Sequence, residues 1–163
     1  MLKAVKKAKA VKSGGSFAIV ASRYNARYVD GMLNAAAREL KRTGAKVQIV
    51  RVPGAYEIPV VAAKLSTLDP RPSAIICLGV ILRGETTHAQ HIGEAVSNTL
   101  SQVQALHEVP IIHEVLLLEN EKQAKERCLS KDHNRGTEAA QTALAMAEVM
   151  RTLAPSAVGI TTV

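Results

Sequence analysis

Residues 74–88 read Ala74-Ile-Ile-Cys-Leu-Gly-Val-Ile-Leu82, then Arg83-Gly-Glu-Thr-Thr-His88. The first nine residues are apolar and uninterrupted by charge, the signature of a strand buried on both faces. A glycine turn ends the run, and a hydroxyl-rich helix start follows with a histidine in its first turn. Free N–H groups at such a junction hold an anion, and an imidazole beside them gives and takes protons near neutrality. Taken alone, a histidine in this place reads first as a surface or capping residue. The spacing Gly79-x-x-x-x-Gly84-x-Thr86 nearly matches a P-loop, but Glu85 stands where the lysine belongs. A carboxylate there repels the β- and γ-phosphates that the lysine attracts, so nucleoside triphosphate binding is excluded.

Outward from this junction the chain alternates strand and helix. Phe17–Ala21 is a short buried strand, and apolar residues at Val29, Leu33, Ala36 and Leu40 have helical spacing that Gly44 stops. Lys46–Val52 alternates as a second strand. Pro53-Gly54 turns the chain, and Glu57–Leu65 is a helix with Pro59 in its first turn. After Ala74–Leu82 come a long helix over His88–Leu106, a strand over Ile111–Leu118, a short helix over Glu121–Cys128 and a last helix over Gly136–Leu153. This order predicts an α/β fold, a three-layer α/β/α sandwich with a central four-stranded parallel sheet. Ligands of such sheets sit beyond the carboxyl ends of the strands. Ser22–Asn25, Gly54–Glu57, Arg83–His88 and His113-Glu114 are expected at or near those ends.

The composition is that of one globular domain: 163 residues, 47% hydrophobic and 21% charged, with one Phe, three Tyr and no Trp. The formal charge of +7 is concentrated in Lys3, Lys6, Lys7, Lys9 and Lys12. Without them sixteen basic residues face fourteen acidic ones, and no aromatic residues interleave with a basic patch. The body is therefore not a nucleic-acid binder. Residues 1–15 are expected as a basic flexible tail and residues 16–163 as a single domain. No apolar run reaches the roughly 18 residues a membrane span needs, and the tail lacks a secretory apolar core. Cys77 and Cys128 show no paired pattern, which fits a reducing cytosol and predicts a cytoplasmic protein.

Four segments in order resemble the lumazine synthase family: Ala21-Ser-Arg-Tyr-Asn25, Val52-Pro-Gly-Ala-Tyr-Glu-Ile-Pro59, Leu78-Gly-Val-Ile-Leu-Arg-Gly-Glu-Thr-Thr-His88 and Asn134-Arg-Gly-Thr-Glu-Ala-Ala140. The resemblance covers roughly residues 16–153 and implies a flavodoxin-like fold. It implies condensation of 5-amino-6-(D-ribitylamino)pyrimidine-2,4-dione with 3,4-dihydroxy-2-butanone 4-phosphate to 6,7-dimethyl-8-ribityllumazine. By the same resemblance His88 and Arg127 are catalytic, and Gly84, Glu85, Thr86 and Arg127 bind the phosphate. Tyr24 takes the place of a stacking phenylalanine, and backbone groups of Val80, Ile81 and Leu82 read the pyrimidine edge. Ala55, Tyr56 and Glu57 match the ribityl-binding segment, and His113 and Arg135 complete the substrate site.

No metal or organic cofactor is implied, and His88, His91 and Glu94 do not make a convincing ligand cluster. The chain departs from the family pattern at three places. His113 stands where phenylalanine is common, and Arg135 where lysine is usual. Ala89-Gln90-His91 replaces an aromatic-acidic-aromatic run. The resemblance further implies that Arg127, Arg135 and His113 meet the other site residues across a subunit boundary. The homo-oligomer implied is a pentamer, or a 60-subunit icosahedral capsid of twelve pentamers, with association with riboflavin synthase. Two alternatives stay open at this point: an archaeal-type pentameric riboflavin synthase, and a catalytically weak flavin-binding shell protein.

Overall fold

The computed structural model describes residues 15–154. Its elements run β1 (Ser16–Ser22), α1 (Ala26–Arg42), β2 (Lys46–Val52), a 3-10 turn (Ala55–Glu57), α2 (Ile58–Ser66), β3 (Ala74–Leu82), α3 (His88–His107), β4 (Ile111–Leu118), α4 (Glu121–Leu129) and α5 (Arg135–Leu153). The four strands form one parallel sheet in the order β2-β1-β3-β4. Among the described residues, no helix is long and apolar enough to cross a membrane. The basic tail expected over residues 1–15 lies outside the described residues except for Gly15, as do residues 155–163.

Alternation along the central strands sends successive side chains to two separate cores. Phe17, Ile19, Ala21, Ile76 and Leu78 pack with Met32 and Leu40 of α1, Cys128 of α4 and the alanines of α5. Ala18, Val20, Ile75 and Cys77 pack with Ile58 of α2 and Leu100 of α3. Both sheet faces are thus covered, giving the three-layer α/β/α, flavodoxin-like arrangement, and this is why β1 and β3 read as continuous apolar runs. The edge strand β2 needs apolar residues less and leaves Ile49 exposed. Cys77 and Cys128 are free and buried. Burial pushes both thiols up, that of Cys128 to about 11.

The alanine-rich α5 lies close on α1, and one glycine sets that distance. A Cβ built on Gly136 would stand 2.0 Å from the Met32 carbonyl oxygen. Asn134 caps the helix there, accepting from the Gly136 N–H at 2.9 Å while its Nδ2 donates to the Cys128 carbonyl at 2.7 Å.

The strand order places the functional region. The chain leaves β1 through α1 to β2 on one side, whereas β3 lies on the other side of β1, so β1 and β3 part at a topological switch point. Pairing of β3 with β1 stops at Leu78, while pairing with β4 runs on to Leu82. Among the described residues, the β1-facing edge of Gly79–Leu82 therefore has no strand partner. One expectation needs correction. His113 and Glu114 pair with Cys77 and Leu78, and β4 continues four residues beyond them to Leu118. They lie in mid-strand, not at the carboxyl end.

Candidate active site

An open cleft of about 860 Å³ lies beyond the carboxyl ends of the strands, on the face covered by α2 and α3. Tyr24 and Asn25 follow β1, Gly54 to Glu57 follow β2, and Val80 to Leu82 end β3. His88, His91, Ile92 and Ala95 enter from α3, the i, i+3, i+4, i+7 stripe of a single helical face. The structure thus brings together Tyr24, Ala55, Tyr56, Glu57, Val80, Ile81, Leu82 and His88 of the residues anticipated from sequence.

Local chemistry explains how each is held. Asn25 has φ 56°, a left-handed conformation that asparagine tolerates better than bulkier residues. It reverses the chain between β1 and α1, and its Nδ2 donates to the Val80 carbonyl at 2.7 Å, across the gap where β1 and β3 part. The Glu57 carboxylate accepts from the Gly54 N–H at 2.8 Å through Oε2, which fixes the 3-10 turn, and Glu57 lines the cleft. A Cβ on Gly54 would come within 2.9 Å of Glu57 Oε2 and 3.1 Å of the Tyr24 ring, so the ring stands beside the turn with no room for a side chain between them. Tyr24 and Tyr56 are 71% and 64% exposed, two of the chain's four aromatic rings left facing the cleft and solvent. Such rings supply a flat apolar surface with a polar tip.

Gly84, Glu85 and Thr86 form the exposed turn between β3 and α3. Nothing lies within 4 Å of a Cβ built on Gly84, so the backbone there is open to an approaching group. The Thr86 hydroxyl accepts from the His88 N–H at 3.4 Å, and Thr87 gives α3 no side-chain cap. Beyond the His88 N–H, those of Ala89 and Gln90 in the first turn of α3 remain available to an anion.

Arg127, Arg135 and His113 stand elsewhere. The His113 Nε2 lies 2.8 Å from the Ser97 hydroxyl, which itself donates to the Gly93 carbonyl. A hydroxyl has one hydrogen, so that network assigns the proton to His113 Nε2. Ser97 is nine residues along α3 from His88, roughly 13 Å at 1.5 Å per residue. Glu114 points to the opposite sheet face, where its Oε2 accepts from Arg135 Nε at 3.2 Å. Arg135 Nη1 donates in turn to Glu138 Oε2 at 2.6 Å. Burial, only partly offset by Arg135, pushes Glu114 up to about 7. Burial alone would lower the Arg135 guanidinium, yet Glu114 and Glu138 outweigh it and hold the pKa above its ordinary value. Arg127 ends α4 near this group and, among the described residues, forms no ion pair.

Among the described residues, no lysine or arginine lines the cleft. Sequence reading missed Asn25, Ile92 and Ala95 as lining residues and weighed His91 only as a metal ligand. The helical period from His88 carried the signal for the three on α3. Among the described residues, no group of three or more His, Cys, Asp or Glu side chains is placed to hold a metal ion.

The 6,7-dimethyl-8-ribityllumazine synthase family profile matches residues 14–151. A 6,7-dimethyl-8-ribityllumazine synthase of Buchnera aphidicola subsp. Baizongia pistaciae is 38% identical over 157 residues, covering 94% of this chain and 98% of that protein. One of Stenotrophomonas maltophilia is 37% identical over 140 residues, 84% of this chain and 90% of its own. One of Desulfotalea psychrophila is 39% identical over 143 residues, 86% and 92%.

Proposed function

This chain belongs to the 6,7-dimethyl-8-ribityllumazine synthase family, and from that premise we propose how its cleft carries out the reaction. It is a transferase of riboflavin biosynthesis acting on small-molecule substrates. It condenses 5-amino-6-(D-ribitylamino)pyrimidine-2,4-dione with 3,4-dihydroxy-2-butanone 4-phosphate to 6,7-dimethyl-8-ribityllumazine. The balance fixes what the site must do. The amine and ketone lose one water as an imine forms. A proton leaves the carbon beside the phosphate-bearing one as phosphate departs with its electron pair. The resulting enol takes a proton at its terminal carbon, and ring closure releases a second water.

In our reading the pyrimidinedione stacks on Tyr24 with its edge along Val80, Ile81 and Leu82, whose β1-facing side lacks a strand partner among the described residues. The ribityl chain runs past Ala55 and Tyr56 to Glu57 Oε1. Phosphate rests on the N–H groups of Gly84, Glu85 and Thr86, and His88 moves protons beside it. The observation that carries this reading is the cleft's missing cation. Among the described residues Arg127 has no ion-pair partner, yet it lies by the opposite sheet face. We therefore take Arg127, with His113 and Arg135, from a second copy of the chain, so that the site is complete only in an oligomer. A pentamer meets that need, and twelve pentamers would close a shell, with the basic tail of residues 1–15 joined to the domain at 16–163. A cytoplasmic place and association with riboflavin synthase accompany this reading.

Mixing inactive subunits tests the shared site. His88→Ala and Arg127→Ala chains, each nearly inactive alone, are unfolded and reassembled together in equal amounts. Random assembly leaves about a quarter of the sites with both groups intact, and activity returns to about that fraction. Recovery no greater than the two separate residual rates would mean that one chain holds the whole site. Light scattering checks the assembly, with about 87 kDa for five chains of 17.4 kDa and about 1 MDa for sixty.

A further inference from the structure

The cleft holds a second imidazole for which the reading above has no use. His91 lies one turn after His88 on the same stripe of α3 and lines the same cleft beside Ile92 and Ala95. At i, i+3 the two residues have Cβ atoms roughly 5–6 Å apart, and His91 is about 4.5 Å further along the axis, away from the turn at Gly84 to Thr86. Its ring makes no side-chain hydrogen bond and no ion pair among the described residues. The neighbouring carboxylate is engaged elsewhere, since Glu94 Oε1 accepts from Gln90 Nε2 at 2.8 Å. His91 is exposed, so nothing in the core requires it. A free ring on the wall of a reacting cleft is available for proton transfer.

We propose that His91 is a second proton carrier for the condensation, serving the heterocycle end of the cleft while His88 serves the phosphate end. This rests on the reading of the cleft given above. The reaction exchanges protons at two separated places. One is the carbon next to the phosphate-bearing carbon, where a base takes the proton as the C–O bond to phosphate breaks. The other is the forming C=N bond, where the ketone oxygen must be protonated to leave as water and the amine must lose its hydrogens. A group held near Gly84 to Thr86 reaches the first, and a group one helical turn toward Ile92 and Ala95 reaches the second. Each proton taken up in one step is returned in a later one, so the two imidazoles end as they began and no co-reactant is needed.

The test is the pH dependence of kcat and KM for the parent, His88→Asn, His91→Asn, His91→Phe and the His88→Asn/His91→Asn double variant. Both positions are exposed, and thermal melts confirm that the variants fold. We expect His91→Asn and His91→Phe each to lower kcat by about tenfold or more with KM for either substrate within about twofold. His88→Asn should keep a slower rate that still varies with pH. The double variant should lose that dependence. Parent-like kcat and pH profile in both His91 variants would overturn the proposal, as would a change confined to KM, which marks a binding contact. If the parent itself makes no lumazine, the reading of the cleft fails and this inference with it. If the parent turns over and the His91 variants match it, only this inference fails.

Discussion

Glu114→Gln should stabilise the protein above neutral pH and lose that advantage in acid. Glu114 is 8% exposed, with Arg135 and Glu138 of α5 and Arg127 of α4 as its charged neighbours. Burial is the main cause that raises its pKa from 4.5 to about 7; Arg135 and Arg127 pull it down and Glu138 pushes it further up. A carboxyl whose pKa is raised on folding favours the folded state only while protonated. That contribution is complete below about pH 4.5, declines as pH rises, and is gone above about pH 7. At about 1.4 kcal/mol for each tenfold change in the ionisation constant, the rise from 4.5 to about 7 corresponds to about 3 kcal/mol. Glutamine keeps the size and an acceptor for Arg135 Nε but never ionises. The difference in melting temperature, variant minus parent, should therefore grow from about pH 5 to about pH 8.5 by roughly 6–12 °C, at 2–4 °C per kcal/mol for a domain of this size. Melting curves at fixed protein concentration give the answer, because assembly makes the midpoint concentration-dependent. A difference that stays constant or shrinks as pH rises would refute the claim that ionised Glu114 is held at a cost.

Gly136→Ala puts a Cβ 2.0 Å from the Met32 carbonyl oxygen, a backbone atom that cannot swing away, so α1 and α5 must separate. A loss of about 1–3 kcal/mol or more is expected in urea unfolding. Gly84→Ala meets nothing within 4 Å, so its stability should stay within about 0.5 kcal/mol of the parent, while the Michaelis constant for the ketose phosphate rises. Tyr24→Ala should raise KM for the pyrimidinedione by up to about tenfold and Tyr24→Phe should barely change it, because the ring and not the hydroxyl supplies the stacking.

The layers of this fold were legible because its central strands are apolar on both faces and its helices keep a clean 3.6-residue period. Phe17 to Ala21 and Ala74 to Leu82 carry no charge to place in water, so a covered parallel sheet is their natural arrangement. The 3-10 turn at Ala55–Glu57 escaped because three residues are too few for a hydrophobic period. What announced it locally was Glu57 three residues after Gly54, the spacing of a capping box. The half of the site made by contiguous segments was readable in the same way. His91, Ile92 and Ala95 become site residues only when α3 is laid against the 3-10 turn. Glu114 gave no sign of its burial, since the Arg135 that holds it is twenty-one residues away along the chain. Its place in mid-strand, not at the strand end, follows from the length of β4.

The central claim is that this chain makes 6,7-dimethyl-8-ribityllumazine. The direct measurement is incubation of the purified protein with the pyrimidinedione and the ketose phosphate, followed by lumazine fluorescence and phosphate release. The account predicts that both rise together in equal amounts, with no lumazine supplied beforehand and no metal added. It would be contradicted by protein that binds riboflavin yet releases no phosphate, or that forms riboflavin only when given preformed lumazine.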